Sequence, residues 1–206
     1  TTRILLINRL AFQIKKDNPD SAYQLLASVL PEAASMDNPS LLIELYYTKG
    51  TIYSARQQYD STIIILEQAK ALAESMDNYL QITDCLAEIA NAFFVLDEKE
   101  KSFAYLKEAL AISKEHQLGF AGFRSMNNLG RFYSIVGQAD SADYYLNRAL
   151  EYPIEQGNKR RQAEVLTNLA NNASQSKQLE KALRYYDRAI VLMKEIKYAY
   201  GLSRVY

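Results

Sequence analysis

Apolar residues recur along this chain three and four positions apart, and that pattern itself returns every 40 residues. Between Gly119 and Asn158, the residues Phe123, Met126, Leu129, Gly130 and Tyr133 mark one face of a helix. Gly137-Gln138-Ala139-Asp140 interrupts the pattern. A second face follows in Ala142, Tyr145, Leu146 and Ala149, with Leu150 beside it, and Gly157-Asn158 closes the stretch. Glycine suits a helix end because it takes the left-handed conformation without a Cβ penalty. Four columns carry the period: Leu10, Gly50, Ala90, Gly130, Ala170; Ala22, Thr62, Ser102, Ala142, Ala182; Leu26, Leu66, Leu106, Leu146, Tyr186; and Val29, Ala69, Ala109, Ala149, Ala189. A fixed period of this length predicts stacked helix pairs, each too small to bury its apolar face alone.

The small columns predict close helix contacts. Gly50, Ala90, Gly130 and Ala170 are expected where the first helix of a pair meets the second, and Ala69, Ala109, Ala149 and Ala189 where one pair meets the next. Leu10 breaks the first column. Asp20, Asp60 and Asp140, each followed by serine, are expected to accept bonds from the unpaired N–H groups at the start of the second helices. Met36-Asp37-Asn38 recurs as Met76-Asp77-Asn78 and marks the loop between pairs. Pro31 predicts a break near Ala27 to Leu30, and Pro153 a disturbance at the end of its helix.

The chain resembles the tetratricopeptide repeat family. The resemblance is carried by Met126-Asn127-Asn128-Leu129-Gly130-Arg131-Phe132-Tyr133, Gly137 and Ala142-Asp143-Tyr144-Tyr145-Leu146-Asn147-Arg148-Ala149-Leu150. It returns in Leu166-Thr167-Asn168-Leu169-Ala170 and Lys181-Ala182-Leu183-Arg184-Tyr185-Tyr186-Asp187-Arg188-Ala189-Ile190. The 40-residue period and the Asp-Ser-Ala turn are similar to repeat arrays of regulatory proteins of the Bacteroidetes type. The resemblance implies an all-α, right-handed superhelical solenoid of antiparallel helix pairs. It divides the chain into a divergent pair over 1–38, repeats over 39–78, 79–118, 119–158 and 159–198, and the start of a further helix over 199–206.

Such arrays bind ligands on the concave groove lined by their first helices. With the small residue counted as position eight, positions two, five, six, nine and twelve face that groove. The resemblance thus implies a ligand-binding set of Tyr47, Asn91, Arg124, Asn127, Asn128, Arg131, Asn168 and Asn171. Asparagine offers both donor and acceptor and can hold a peptide main chain whatever its sequence. Arginine grips a carboxylate at two points. Glu44, Asp84 and Glu88 make the other half of the groove acidic, so a ligand with one basic and one acidic end suits it. The lysine–asparagine clamp of chaperone-tail binders needs lysine at position five and asparagine at nine. Tyr47/Thr51, Ala87/Asn91, Asn127/Arg131 and Thr167/Asn171 all fail to supply it.

Composition narrows the chemistry. The 206 residues are 49% hydrophobic and 23% charged with zero formal net charge, which argues against nucleic acid as partner. One cysteine and one histidine cannot form a disulfide or an ordinary zinc site. Cys85 sits within a helical pattern and reads as a small buried apolar residue. Lys159-Arg160-Arg161 reads as a solvated helix start, and Asn172-Ala173-Ser174 as a chance sequon within a helix. No phosphate loop or nucleophile elbow is present, and no apolar run is long enough to cross a membrane. A non-enzymatic scaffold for a protein or peptide segment, without cofactor or metal, is the expected function. The alternative is a sensory or dimerising part of a larger signalling protein. The abrupt start in Ile4-Leu5-Leu6-Ile7 and the helix-like opening at Tyr200 read as a fragment of a longer chain, with self-association expected through the cut end. The compartment stays open between cytoplasmic and exported forms, the cytoplasm slightly favoured.

Overall fold

A computed structural model describes residues 1–196, and the expected helix start at 199–206 lies outside the described residues. The described residues form α1 (Thr2–Ile14), α2 (Pro19–Ala27), α3 (Leu30–Ala34), α4 (Pro39–Ala55), α5 (Tyr59–Glu74), α6 (Tyr79–Val95), α7 (Lys99–Glu115), α8 (Gly119–Ile135), α9 (Ala139–Glu155), α10 (Lys159–Gln175) and α11 (Leu179–Glu195), with no strand among them. They fall into two compact units, Thr1–Ile112 and the residues from Ser113 onward. In the first, α1 packs on α2 and α4, α4 on α5, and α5 on α6. In the second, α8 packs on α9, α9 on α10, and α10 on α11.

The periodic columns are the core. Every member of the second and fourth columns is buried, as are Leu26, Leu66, Leu106 and Leu146 of the third. In the second unit Phe123, Leu146, Leu150, Leu166 and Leu169 form one cluster. In the first unit Ile4, Leu26, Leu41, Leu45 and Ile52 form another, and Cys85, Ile89 and Phe93 join Ile65 and Leu66 in a third.

The first column needs a correction. Leu10 is 46% exposed, whereas Ala11 is fully buried and takes the small-residue place on α1. One residue fewer separates Ala11 from the start of α2 than separates Gly50 from the start of α5. The later turns carry a left-handed residue at Gln57, Asp97, Gly137 and Lys177, and the first turn lacks one at Asp17. The 40-residue period therefore holds from α2 onward, and α1 is offset by one.

Two local expectations also change. The aspartates of the Asp-Ser turns do not cap. The N-caps are Asn18, Gln58 and Gln138, of which only Asn18 accepts a backbone bond, from Ser21. Asp20, Asp60 and Asp140 lie in the first turn, where their charge complements the helix dipole. Asparagine does the capping at first helices instead. Asn38, Asn78 and Asn158 accept from the N–H groups of Leu41, Gln81 and Arg161 at 3.1–3.2 Å. Pro153 leaves α9 unbroken to Glu155, because it lies in the last turn, where one lost N–H bond interrupts little. Its carbonyl is used twice, accepting from Asn158 N at 2.8 Å and Gln162 Nε2 at 3.0 Å. Pro31 does break its helix: α2 ends at Ala27 and α3 starts at Leu30 with the proline in its first turn.

Candidate functional site

In the first unit, α1, α4 and α6 border an open cleft of about 480 Å³. With Ala11 as the small residue, the groove-facing positions of α1 become Leu5, Asn8, Arg9, Phe12 and Lys15. The first four line the cleft, with Glu44, Tyr47 and Thr48 of α4 and Gln81 of α6. Phe12 stacks near Tyr47 with ring centroids 6.4 Å apart. The Lys15 ammonium lies 2.9 Å above the Phe12 ring centre. Burial lowers the Lys15 pKa from 10.5 to about 8, against the opposing pull of Glu88.

Two polar atoms in this cleft are buried without a hydrogen-bond partner, Asn8 Oδ1 and Gln81 Nε2. Asn8 is 8% exposed and sits in the buried stripe of α1 between Ile4 and Ala11. Gln81 lies near enough to the Cys85 thiol for its amide to act on it, but sulfur is a weak acceptor. Of the expected ligand set, Tyr47 lines the cleft, and Asn91 is exposed further along α6.

In the second unit the expected residues divide. Asn127 is 4% exposed, and its Oδ1 accepts from Asn168 Nδ2 at 2.9 Å, tying α8 to α10. Ser134 Oγ makes a parallel tie, donating to Gln175 Oε1 at 3.0 Å. Asn171 faces α11, where its Oδ1 accepts from Tyr186 OH at 2.6 Å. Arg124 and Asn128 are half-buried on α8, and Arg131 is exposed one turn on. Asn127, Asn168 and Asn171 thus spend polar groups on the fold itself.

The sequence reading set α1 aside as part of a divergent pair and named no groove residue on it. The usable signal was a polar residue inside an apolar stripe, Ile4, Asn8, Ala11. Other features resolve as structure. Asn172 of the sequon is buried and donates to Asp143 Oδ1 and to the Ala139 carbonyl. Asp143 also pairs with Lys181. Lys159 pairs with Glu195 at 2.9 Å, and the Arg161 guanidinium stacks on Phe120 and Phe123. Among the described residues no three His, Cys, Asp or Glu groups could hold a metal, and no helix is long and apolar enough to cross a membrane.

These helix pairs define a repeat protein of the tetratricopeptide class. Sequence models described as tetratricopeptide repeat match residues 123–195 and 43–76, together more than half of the chain. The chain belongs to the tetratricopeptide repeat family. Curated protein sequences give no match. Among solved structures it is similar to BtubC from P. vanneervenii at 21% identity and a TM-score of 0.77, over 93% of this chain and 80% of that one. It is similar to a Rap protein complexed with Competence and Sporulation Factor at 17% identity and a TM-score of 0.84, over 94% of this chain and 54% of that one. A Rap conjugation gene regulator of plasmid pLS20, in complex with the Phr* peptide, shares 16% identity and a TM-score of 0.77, over 96% and 52%. The chain spans about half the length of these two Rap proteins. At such identities the likeness establishes the fold.

Proposed function

We propose that this chain is a non-catalytic scaffold that binds a peptide or protein segment on the face lined by its first helices. The observation that carries this reading is the open cleft bordered by α1, α4 and α6, of a volume in the range of ligand sites. The Rap regulator solved with the Phr* peptide supports the same reading by analogy of fold. In the second unit Asn128, Arg131 and Asn168 are the contacts expected to face the ligand, with Arg124 as a further candidate there and Tyr47 and Asn91 in the first unit. Asn127 and Asn171 serve mainly to hold neighbouring helices in place.

The same binding face suits a sensory domain within a longer signalling protein, where an effector peptide would be read and passed on. The likeness to a gene regulator favours keeping that second reading.

The test is a peptide array probed with the wild-type chain and with the combined Asn128→Ala and Arg131→Ala variant, which leaves the Asn168–Asn127 bond in place. Peptides held by the wild type and lost by a variant of unchanged helicity support the scaffold. An array with no bound peptide, or equal retention by both proteins, counts against it.

A further inference from the structure

We propose that the cleft between α9 and α11 is the contact surface of a two-fold symmetric dimer of this chain, with Ile154 and Val191 of each copy packed into the other's cleft and Asp187 of each copy paired with Arg188 of the other. The surface lies on second helices and is independent of the first-helix residues expected to face a ligand.

The cleft holds about 350 Å³ and is lined by Leu150, Leu166 and Leu192. Leu150 and Leu166 are buried and form its floor. Ile154 of α9 and Val191 of α11 also line it and are 53% and 54% exposed. One surface thus carries both an apolar hollow and apolar side chains that project beside it, which is what a self-complementary contact needs.

The corresponding positions in the first unit carry paired charge instead. Eighty residues earlier, Lys70 and Glu74 of α5 stand where Leu150 and Ile154 stand on α9. Lys107 and Glu108 of α7 stand where Asp187 and Arg188 stand on α11. Lys70 pairs with Glu67 and Glu74 at 3.4 and 3.5 Å, and Tyr105 OH donates to Glu67 Oε1 at 2.7 Å. Paired and solvated charges suit a groove that faces water. Apolar residues at the same places in the second unit leave surface that gains from being covered.

The rim charges identify what covers it. Asp187 and Arg188 are neighbours on α11, both exposed, and neither side chain forms an ion pair or hydrogen bond among the described residues. In an isologous contact residue i of one copy meets residue j of the other, and j meets i. A two-fold axis passing between adjacent residues of opposite charge therefore makes two matched pairs and no like-charge contact. A purely apolar partner would leave both charges unpaired beneath it. A second copy supplies the apolar filling and the charge complement from residues already at the cleft. The zero formal net charge sets no general repulsion between copies.

The experiment is sedimentation equilibrium on the whole chain from about 10 to 300 µM, the range in which a small interface holds. The weight-average mass is expected to rise toward twice that of the monomer and stop there, because an isologous contact closes at two. Asp187→Arg and Arg188→Asp each set like charges against one another and should weaken association roughly tenfold or more. Mixed in equal amounts, the two variants should associate again, since one brings two arginines and the other two aspartates. The double exchange, Asp187→Arg with Arg188→Asp, should also restore association. It keeps the net charge of the wild type, which separates a reciprocal contact from general attraction between a basic and an acidic variant. Val191→Lys should abolish association with helicity unchanged. A wild type that stays monomeric overturns the proposal and leaves the cleft to a partner of another kind. So does assembly beyond two, or a single variant that associates like the wild type. A mixture or a double exchange that stays apart overturns it as well.

Discussion

A Cβ placed on Gly130 would lie 2.5 Å from Leu146 Cγ, closer than real side chains approach. Gly50 stands in the same relation to Leu66, also at 2.5 Å. Glycine costs about 1 kcal/mol in a helix interior relative to alanine, so its presence there has to be offset by packing. The offset is the close approach of first and second helices. Gly130→Leu is expected to destabilise the chain by at least ~1–3 kcal/mol through overpacking, read as a lower midpoint in urea. Gly130→Ala should cost less, because Ala90 and Ala170 fit the same column. An unchanged midpoint for the leucine variant would remove the packing role assigned to the column.

The columns that could be read from the sequence were those set by packing. Ala22, Leu26 and Val29 and their successors at 40-residue steps, up to the half-buried Tyr186, are buried because each pair repeats the same contact. Leu10 misled because one residue is missing between α1 and α2. A period counted from the later repeats points to the wrong residue on a helix that precedes the missing position. The expected groove set starts on α4, and a count from Leu10 would have reached Asn8 on α1 but not Leu5, Arg9 or Phe12. Capping was misread for a different reason. Asp and Asn both favour helix starts, and only the backbone path shows which residue stands at the cap. The role of Asn127 was hidden because its partner, Asn168, lies 41 residues away and one helix pair over.

The Asn168–Asn127 bond makes its own prediction. Asn127 is buried, so removing its partner leaves an acceptor unpaired. Asn168→Ala should cost about 1–3 kcal/mol. Asn127→Ala and Asn168→Ala together should cost less than the sum of the two singles, because one bond cannot be lost twice. A chemical-denaturation double-mutant cycle measures the coupling. Strict additivity would show that the bond adds nothing to stability.

Cys85 is fully buried, and burial pushes its thiol pKa up to about 12, against the opposing hydrogen bond of the Gln81 amide. The thiolate is the reactive form, so the native chain should leave Cys85 unmodified by a thiol reagent at neutral pH. Labelling should follow global unfolding as denaturant is added. Fast modification in native buffer would place Cys85 in a surface that opens locally.

Lys15 offers the sharpest pH signature. Its amine titrates near 8 in the folded chain and near 10.5 when solvated, because burial disfavours the charged form. Between these values the unfolded chain binds more protons than the folded one, so stability should rise as pH climbs from about 8 toward 10. Above pH 10 the trend should reverse. Tyr105 and Tyr133 are held protonated to higher pH in the fold, chiefly by burial, with Glu67 and Tyr145 adding to it. Lys15→Met should flatten the rising limb and leave the falling one. Denaturation midpoints across that pH range test the sign. Peptide mapping after brief exposure to an amine-reactive ester at pH 8 tests the cause, since Lys15 should label ahead of the solvated lysines relative to its accessibility. A rising limb that survives in the Lys15→Met chain would assign the effect to another group.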